Sequence, residues 1–290
     1  MASANEIRHR IAAVEQTRKI TGAMEMVSSN RMRRIMSHRE YNRRYFDYIR
    51  RSMREILNSV EGITHPYLTA RPEGRRAYIV ITGDKGLCGS YNSAILALAD
   101  QRLAEFPDAT LITIGNIAEE YYRRRGRIPD LSMYGIVQDP TMKAARRISR
   151  EIMRIYDEGL TDEVHMVFTA SYDEMKNKPF ECRILPIMDD DYLDIDDDER
   201  EETIYSPSPH AVLNELVPQY ILGLLFGIIA QAYASEHYAR MNAMHASTQN
   251  AGEMLKALTT QYNLARQSAI TNELSEITGA AEILKGGGLI

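Results

Sequence analysis

Apolar residues recur at steps of three and four at both ends of the chain, and this spacing constrains the fold more than any other feature. Such steps place side chains on one side of an α-helix. The first sixty residues contain no proline and a single glycine, Gly22, so little in them interrupts a helix. We therefore predict one long helix over residues 1–60, opened by Ser3 and Glu6 at the spacing of a capping box. Its apolar positions are Ile7, Ile11, Val14, Ile20, Met24, Val27, Ile49, Met53, Ile56 and Val60.

The C-terminal part shows the same rhythm. Its apolar and small residues step by three and four without a break from Met241 to Ala269, which is the heptad pattern of a two-helix seam. From Ile270 onward the pattern continues on a face rotated by about 100°. We predict a helix over 207–285, with Pro218 as a kink or restart near its beginning. The first stripe is Met241, Met244, Thr248, Ala251, Leu255, Leu258, Tyr262, Ala265 and Ala269, and the second is Ile270, Leu274, Ile277, Ala281 and Leu284.

Neither predicted helix can bury its apolar stripe in a globular core, because each stripe is too narrow. Each helix is also too long to be covered by the residues between them. Pairing the two stripes buries both at once. We therefore predict that residues 1–60 and 207–285 form a long antiparallel coiled coil.

The middle of the chain changes period, and short β-branched runs alternate with helix-like stretches. This alternation is typical of a parallel sheet covered by helices. We predict an α/β fold class with a central Rossmann-like domain over 75–188, followed by an acidic loop or linker over 189–206. The predicted strands are Ala77–Thr82, Ala109–Gly115, Leu131–Val137, Val164–Tyr172 and Phe180–Met188, and the predicted helices are Tyr91–Phe106, Asn116–Arg125 and Thr141–Glu158.

Charge is distributed unevenly along the 290 residues, whose formal net charge is -5. Residues 1–60 carry 13 basic and 6 acidic side chains, whereas residues 189–202 carry ten acidic side chains and one arginine. Hydrophobic residues at 44% and charged residues at 26% exclude a wholly disordered chain. Cys88 and Cys182 are too few for a disulfide framework and lack the neighbours of a zinc site.

Neither a membrane span nor a secretory signal is predicted. The longest apolar run, Tyr220–Ala230, is about half as long as a bilayer span requires. Charged residues such as Glu6 and Arg8 occupy the positions where a secretory signal would be apolar. We therefore expect a chain that contains no membrane-spanning segment.

The loop Gly83–Asn92 lies between a predicted strand and a predicted helix, where phosphate-binding loops occur. Its glycines have the spacing G-x-x-G-x-x-G, which matches neither the dinucleotide fingerprint nor the P-loop. Cys88 has no histidine near it in the sequence, so we interpret it as a packed small residue. We favour a structural turn, and a nucleotide-dependent α/β enzyme that uses this loop is the alternative.

Nine arginines between Arg31 and Arg54 suggest a partner-facing or solvated helix surface, and a nucleic-acid-binding helical protein is a further alternative. The unspaced carboxylates of 189–202 are not arranged like a metal site. His237 and His245 have no second ligand four residues away. We therefore predict no catalytic residue, no metal and no cofactor.

Four motifs, in this order along the chain, resemble the γ subunit of the F-type ATP synthase, and the resemblance covers the whole sequence. They are Ile20-Thr-Gly-Ala-Met-Glu-Met-Val27, Asp84-Lys-Gly-Leu-Cys-Gly89 with Asn92, Ala234-Ser-Glu-His-Tyr-Ala-Arg-Met241, and Tyr262-Asn-Leu-Ala-Arg-Gln-Ser-Ala-Ile-Thr-Asn-Glu273.

The resemblance implies a non-catalytic central rotor shaft that couples proton-driven rotation of the c-ring to conformational cycling of the catalytic β subunits, in ATP synthesis or in reverse proton pumping. It implies α, β and ε subunits and the c-ring as partners, no nucleic acid, and an indirect association with the membrane through the Fo sector. Without a transit peptide, we expect the cytoplasmic side of a bacterial cell membrane, where the protein is peripheral.

The resemblance also assigns individual residues. It implies that the ring of α and β subunits contacts Met24, Arg240, Arg266, Gln267, Thr271 and Glu273. It implies that Gly86, Cys88, Gly89 and Asn92 are structural residues of the strand-to-helix loop. This sequence departs from the family pattern at Gly22, where lysine is common, and at Lys85 and Ser90, where arginine and glycine are usual. The extension Gly286–Ile290 exceeds the usual end.

Overall fold

The computed structural model of the chain describes residues 4–59, 65–171, 177–188 and 205–286, and for residues 38–43, 59, 171, 177, 279 and 281–286 it describes the backbone alone. The Ser3 cap, the acidic segment 189–202 and residues 287–290 of the predicted tail lie outside these ranges. The helices are α1 (Ala4–Ser59), α2 (Tyr91–Glu105), α3 (Asn116–Arg124), α4 (Met142–Asp157) and α5 (Pro209–Gly286). The strands are β1 (Arg76–Ile81), β2 (Thr110–Ile114), β3 (Leu131–Met133), β4 (Glu163–Ser171) and β5 (Asn177–Leu185).

The two long predicted helices are present, with 56 residues in α1 and 78 in α5. Pro218 lies inside α5 and does not mark a restart. Its neighbours Val217 and Ile221 are fully buried. Burial of these side chains compensates for the backbone hydrogen bond that proline removes from the helix.

α5 also contains a window that is long and apolar enough to cross a membrane by length and composition, although Tyr220–Ala230 alone is shorter than a span. Half of that window is buried inside the protein. Leu225 and Ala232, for example, are inaccessible to solvent. The apolar part of α5 therefore has the surroundings of a core helix.

The five strands form one sheet in the order β3-β2-β1-β4-β5. The first four are parallel to one another, as predicted, but β5 pairs antiparallel with β4. The expectation of an entirely parallel sheet is therefore wrong at this edge. Residues 172–176, which separate β4 from β5, are too few for the crossover that a parallel pair requires.

Alternate residues of the strands serve two different cores. Ile79 and Ile81 of β1 face a large cluster to which α4, α5 and the end of α1 contribute. Tyr78 and Val80 face a second cluster with α2 and α3. Helices therefore cover both faces of the sheet, which is the layered arrangement expected for a buried parallel sheet.

The chain divides into two compact units, and the division crosses both long helices. One unit contains residues 1–27 and 241–290, and the other contains residues 28–240. Ile49 and Ile56 of α1 lie in the core that also buries the sheet. The compact units therefore differ from the predicted division into 1–60, 75–188, 189–206 and 207–285, because the inner parts of both helices are packed with the sheet.

Candidate functional site

The first compact unit contains a pair of antiparallel helices, formed by the beginning of α1 and the second part of α5. The hydroxyl oxygens of Thr21 and Thr248 are 2.7 Å apart. One turn further along α1, Glu25 Oε1 lies 2.9 Å from His245 Nδ1, which is one turn back along α5. These two contacts fix the direction and the register of the coiled coil.

The seam ends where α1 begins. In the register of the threonine pair, Ala4 lies opposite Ala265, which is half-buried, and further along α5 Ala269 is exposed. The prediction that Ala269 belongs to the seam is therefore wrong, because α1 offers no partner at that height. The predicted seam residues that are buried or half-buried are Met241, Met244, Thr248, Ala251, Leu255, Leu258, Tyr262 and Ala265.

The part of α5 beyond the seam carries four of the predicted contact residues, and all four are exposed: Arg266, Gln267, Thr271 and Glu273. The Thr271 hydroxyl donates a hydrogen bond of 2.9 Å to the Gln267 backbone carbonyl, and their spacing of four residues places both side chains on one face of the helix. The apolar side chains of Ile270, Leu274 and Ile277 are 45%, 59% and 66% exposed. The end of α5 therefore presents polar and apolar side chains that the described chain does not cover.

The face that α1 turns to the seam follows the prediction at Ile7, Ile11 and Val14, which are buried or half-buried, and departs from it further along the helix. Ile20 and Val27 were expected in the seam, but they are 52% and 51% exposed. At this point of the helix Thr21 is buried in place of Ile20. The hydrogen bond to Thr248 makes burial of Thr21 possible, so the more apolar isoleucine next to it faces outward. Met24, a predicted contact residue, is half-buried.

The Gly83–Asn92 loop of the second unit is held by side chains at both of its ends. The Gly83 N–H donates to Asn92 Oδ1 at 2.9 Å, and Asn92 Nδ2 lies 3.2 Å from the buried Cys88 Sγ. Asp84 Oδ1 accepts a hydrogen bond of 2.9 Å from the Asn116 N–H at the start of α3. Gly89 has a φ of +59°, in the left-handed region that favours glycine, whereas Gly86 is exposed.

Arg240 of α5 forms hydrogen bonds with this loop. Its Nη2 donates to the carbonyls of Lys85 and Gly86 at 3.2 and 3.3 Å, and to Glu236 Oε1 at 2.5 Å. Arg240 is 8% exposed. The expectation that Arg240 contacts a partner subunit does not fit this placement, because its guanidinium is buried and already bound within the chain. The backbone at Gly83 approaches the same carboxylate closely, since a Cβ atom there would lie 2.9 Å from the Glu236 side chain.

Burial dominates the electrostatics of this cluster. It raises the pKa of Glu236, although the Arg240 guanidinium opposes that shift. Burial and then Arg240 lower the pKa of His237 to about 4, so the imidazole is neutral at pH 7. Burial likewise raises the pKa of the Cys88 thiol, which makes Cys88 a poor nucleophile.

The loop presents carbonyl oxygens to a cation, whereas a phosphate-binding loop presents N–H groups to an anion. This geometry favours the structural turn over the nucleotide site. Among the residues that the structure describes, no group of three or more histidine, cysteine, aspartate or glutamate side chains is arranged to hold a metal.

The sequence did not identify Glu236 as a partner of the loop. The sequence contains one indication of this role: Glu236 and Arg240 are four residues apart and follow shortly after the apolar run Tyr220–Ala230. A charged pair at that spacing at the edge of a buried stretch indicates an intrahelical ion pair. Only the fold shows that the pair meets the Gly83 loop.

The arginine-rich part of α1 lies in the second unit. Arg31, Arg33, Arg34, Arg44 and Arg51 are exposed, and Arg50 and Arg54 are half-buried. The side chains of Arg39 and Arg43 lie outside the described residues. These positions are compatible with the predicted solvated or partner-facing surface.

Comparison with known proteins gives one family. The sequence model of the ATP synthase family matches residues 3–284. The ATP synthase gamma chain of Heliobacterium modesticaldum is 33% identical over 289 residues, which are 98% of this chain and 100% of that protein. The ATP synthase gamma chain of Alkaliphilus metalliredigens is 36% identical over 283 residues, which are 97% of this chain and 98% of that protein.

Solved structures share the fold at lower identity. A chain of the Euglena gracilis mitochondrial ATP synthase, in a structure of OSCP, F1 and c-ring, has a TM-score of 0.68 at 15% identity and covers 99% of this chain and 96% of its own length. A chain of the Tetrahymena thermophila mitochondrial ATP synthase, from the central stalk and c-ring, has a TM-score of 0.58 at 21% identity and covers 78% of this chain and 98% of its own length.

Proposed function

Because the chain belongs to the family of ATP synthase gamma chains, we propose that it is the non-catalytic central rotor shaft of an F1Fo ATP synthase. In this role it couples proton-driven rotation of the c-ring to conformational cycling of the catalytic β subunits, or runs in reverse as ATP hydrolysis drives proton pumping. The proposal places the active sites on the β subunits.

The observation that carries the proposal is the exposed end of α5. The α1–α5 seam buries one narrow stripe of each helix, while Ile270, Leu274 and Ile277 extend past it and remain exposed. A helix end of this kind needs partners from other chains to cover it. A single asymmetric shaft inside a threefold ring presents a different face to each β subunit, so rotation changes the relative free energies of the β conformations.

Met24, Arg266, Gln267, Thr271 and Glu273 are the residues that we propose for contact with the ring of α and β subunits. The exposure of the last four supports this assignment. Arg240 receives a different role, because its bonds to the loop and to Glu236 suit a positioning residue that keeps α5 attached to the α/β unit. Gly86, Cys88, Gly89 and Asn92 remain the structural residues of that loop.

The proposed partners are the α, β and ε subunits and the c-ring, without nucleic acid. The complex is associated with a membrane, and we propose that this chain lies on the cytoplasmic side of a bacterial cell membrane as a peripheral subunit, held there through the Fo sector. The two similar gamma chains, from Heliobacterium modesticaldum and Alkaliphilus metalliredigens, come from bacteria, which supports this location.

Co-purification tests the assembly. When the tagged chain is isolated from its own cells, we expect two larger nucleotide-binding subunits in stoichiometric excess over it. Isolation of the chain without such subunits would contradict the proposal. Saturable nucleotide binding by the chain alone would favour the enzyme alternative instead.

Coupling is tested with the reconstituted complex. The variant Ile270→Ser with Leu274→Ser removes exposed apolar contacts, so we expect coupled ATP synthesis to fall several-fold while the stability of the isolated chain changes by less than about 0.5 kcal/mol. Ile128→Ser is the matched control, because Ile128 is 76% exposed but lies in the α/β unit. Equal effects of the two variants on ATP synthesis would contradict the assignment of the α5 end.

A further inference from the structure

A groove of about 460 Å³ runs between α4 and α5 in the second compact unit. Its α4 edge carries Arg146, Arg150 and Arg154, which follow one another at steps of four and form a row with about 6 Å between neighbours. Met153 of α4 and Leu222 of α5 give the groove an apolar lining. The site therefore combines a cationic edge with an apolar floor.

The three arginines differ in how far their charge is neutralised. Arg154 is paired with Glu151 of the same helix and with Glu158, the residue directly after the helix, each at 2.5 Å. Arg146 and Arg150 are exposed and form no salt bridge with any residue in the described part of the chain. The uncompensated positive charge of the groove therefore lies at Arg146 and Arg150.

The opposite end of the groove is acidic. Asp157 lines it there, and both of its carboxylate oxygens lie 2.8 Å from the Tyr67 hydroxyl, which donates to them. The groove therefore has a direction, positive at the Arg146 end and negative at Asp157. An acidic ligand that lies along the groove is favoured in one orientation, with its carboxylates at the Arg146 end.

We propose that this groove binds an acidic amphipathic helix of another protein chain. Two carboxylates placed four residues apart on such a helix have the same 6 Å spacing as Arg146 and Arg150, at about 1.5 Å of rise per residue. Its apolar side chains pack on Met153 and Leu222. This inference concerns the α/β unit and is independent of the ring contacts proposed for α5.

The shape of the groove favours a polypeptide over the other anionic ligands. A phosphate ion engages the arginines but leaves the apolar floor in water. A lipid surface is reached more readily by residues that protrude than by the bottom of a groove. The apolar lining and the guanidinium row are satisfied together by a helix that carries both kinds of side chain.

A designed peptide tests the recognition. The probe is a fluorescent helical peptide of about 18 residues, mainly alanine and leucine, with two glutamates four positions apart on one edge, and the matched peptide carries glutamine at both places. Binding to the full-length chain is followed by fluorescence anisotropy. We expect the glutamate peptide to bind, and Arg146→Glu with Arg150→Glu to weaken it at least about tenfold.

The control variant is Arg147→Glu. Arg147 is exposed on the same helix but does not line the groove. We expect it to change the affinity by no more than about twofold. Absence of binding by the glutamate peptide, or equal weakening by the two charge reversals, would overturn the proposal. Binding of phosphatidylglycerol vesicles that requires Arg146 and Arg150, without peptide binding, would assign the site to lipid instead.

A zero-length cross-link tests the same site in the native complex. Arg150→Lys places a primary amine in the groove, and a carbodiimide joins such an amine to a carboxylate that contacts it. We expect a cross-linked peptide from another subunit, identified by mass spectrometry, with its acidic residues at helical spacing. Arg147→Lys is the control, and a cross-link formed equally by both variants would contradict a specific groove.

Discussion

The buried pair of Glu236 and Arg240 allows a quantitative test of how α5 is attached to the Gly83 loop. Arg240→Met keeps much of the side-chain volume but removes the guanidinium that lies 2.5 Å from the Glu236 carboxylate. Glu236 is 6% exposed, so water cannot replace that cation without rearrangement. Removing one partner of a buried pair costs about 3–5 kcal/mol, and we expect the free energy of unfolding at pH 7 to fall by that amount.

The other bonds of Arg240 add little to this figure. The carbonyls that it binds belong to Lys85 and Gly86, which are exposed, so these oxygens regain hydrogen bonds from water in the variant. The expected loss therefore comes mainly from Glu236, whose charge is left buried without its cation.

The pH dependence of the deficit identifies its cause. Burial already raises the pKa of Glu236, and loss of the arginine raises it further. A carboxyl whose folded pKa lies above its unfolded value binds its proton more tightly in the folded state, so stability rises as the pH falls through that folded pKa. We therefore expect the difference between Arg240→Met and the unmodified chain to be smaller at pH 5 than at pH 7, measured by urea denaturation with far-UV circular dichroism.

Two controls separate this pair from charge effects in general. Arg124→Met breaks an exposed pair with Glu120 and is expected to cost less than about 1 kcal/mol. Glu236→Gln combined with Arg240→Met removes both charges, so its loss is expected to be smaller than the sum of the two single losses by about 1–3 kcal/mol. A loss below 1 kcal/mol for Arg240→Met, or strict additivity in the double variant, would refute the reasoning.

Three further predictions follow from single contacts. Burial lowers the pKa of His237 to about 4 from an ordinary value of 6.5, so its contribution to stability is present above pH 6.5 and decreases as the pH falls toward 4. We expect the free energy of unfolding, measured by urea denaturation, to decrease less between pH 7 and pH 4.5 in His237→Gln than in the unmodified chain. Gly115 has a φ of +98°, and a Cβ there would lie 2.2 Å from the Thr82 carbonyl oxygen. Gly115→Ala is expected to destabilise by about 3 kcal/mol or more, against about 1 kcal/mol for Gly126→Ala, which has a positive φ but open space, and equal thermal shifts would contradict the steric argument. Thr21→Val is expected to cost no more than about 1 kcal/mol in the same urea assay, because Thr248 loses the Thr21 hydroxyl but keeps its hydrogen bond of 2.9 Å to the Met244 carbonyl; the double valine variant is expected to be nearly neutral, and a loss well above 1 kcal/mol for Thr21→Val would contradict this reasoning.

The sequence predicted the elements well because their signals are local. α1 follows from sixty residues without proline, and the strands follow from short β-branched runs between helix-like stretches. The heptad of α5 predicted most of its buried and half-buried seam, from Met241 to Ala265. Four motifs indicated the family, which the comparison with relatives bears out.

Local signals failed where two distant segments meet. Apolarity placed Ile20 in the seam, but the register between the helices buries Thr21, since a hydroxyl on the other helix satisfies it. Similarly, the number of residues after β4 decided that β5 is antiparallel, although its composition is that of any strand. In both places a pairing geometry outweighed the preference of the individual residue.

The sequence by itself determined that two long helices flank an α/β domain, because helical and strand periodicities are properties of neighbouring residues. The tertiary structure alone decided which faces those helices leave exposed, that Arg240 is buried against the Gly83 loop, and that Arg146 and Arg150 border a groove with α5. Exposure and charge pairing depend on which segments pack together. That choice is made by burial summed over the whole core, and no stretch of sequence contains it.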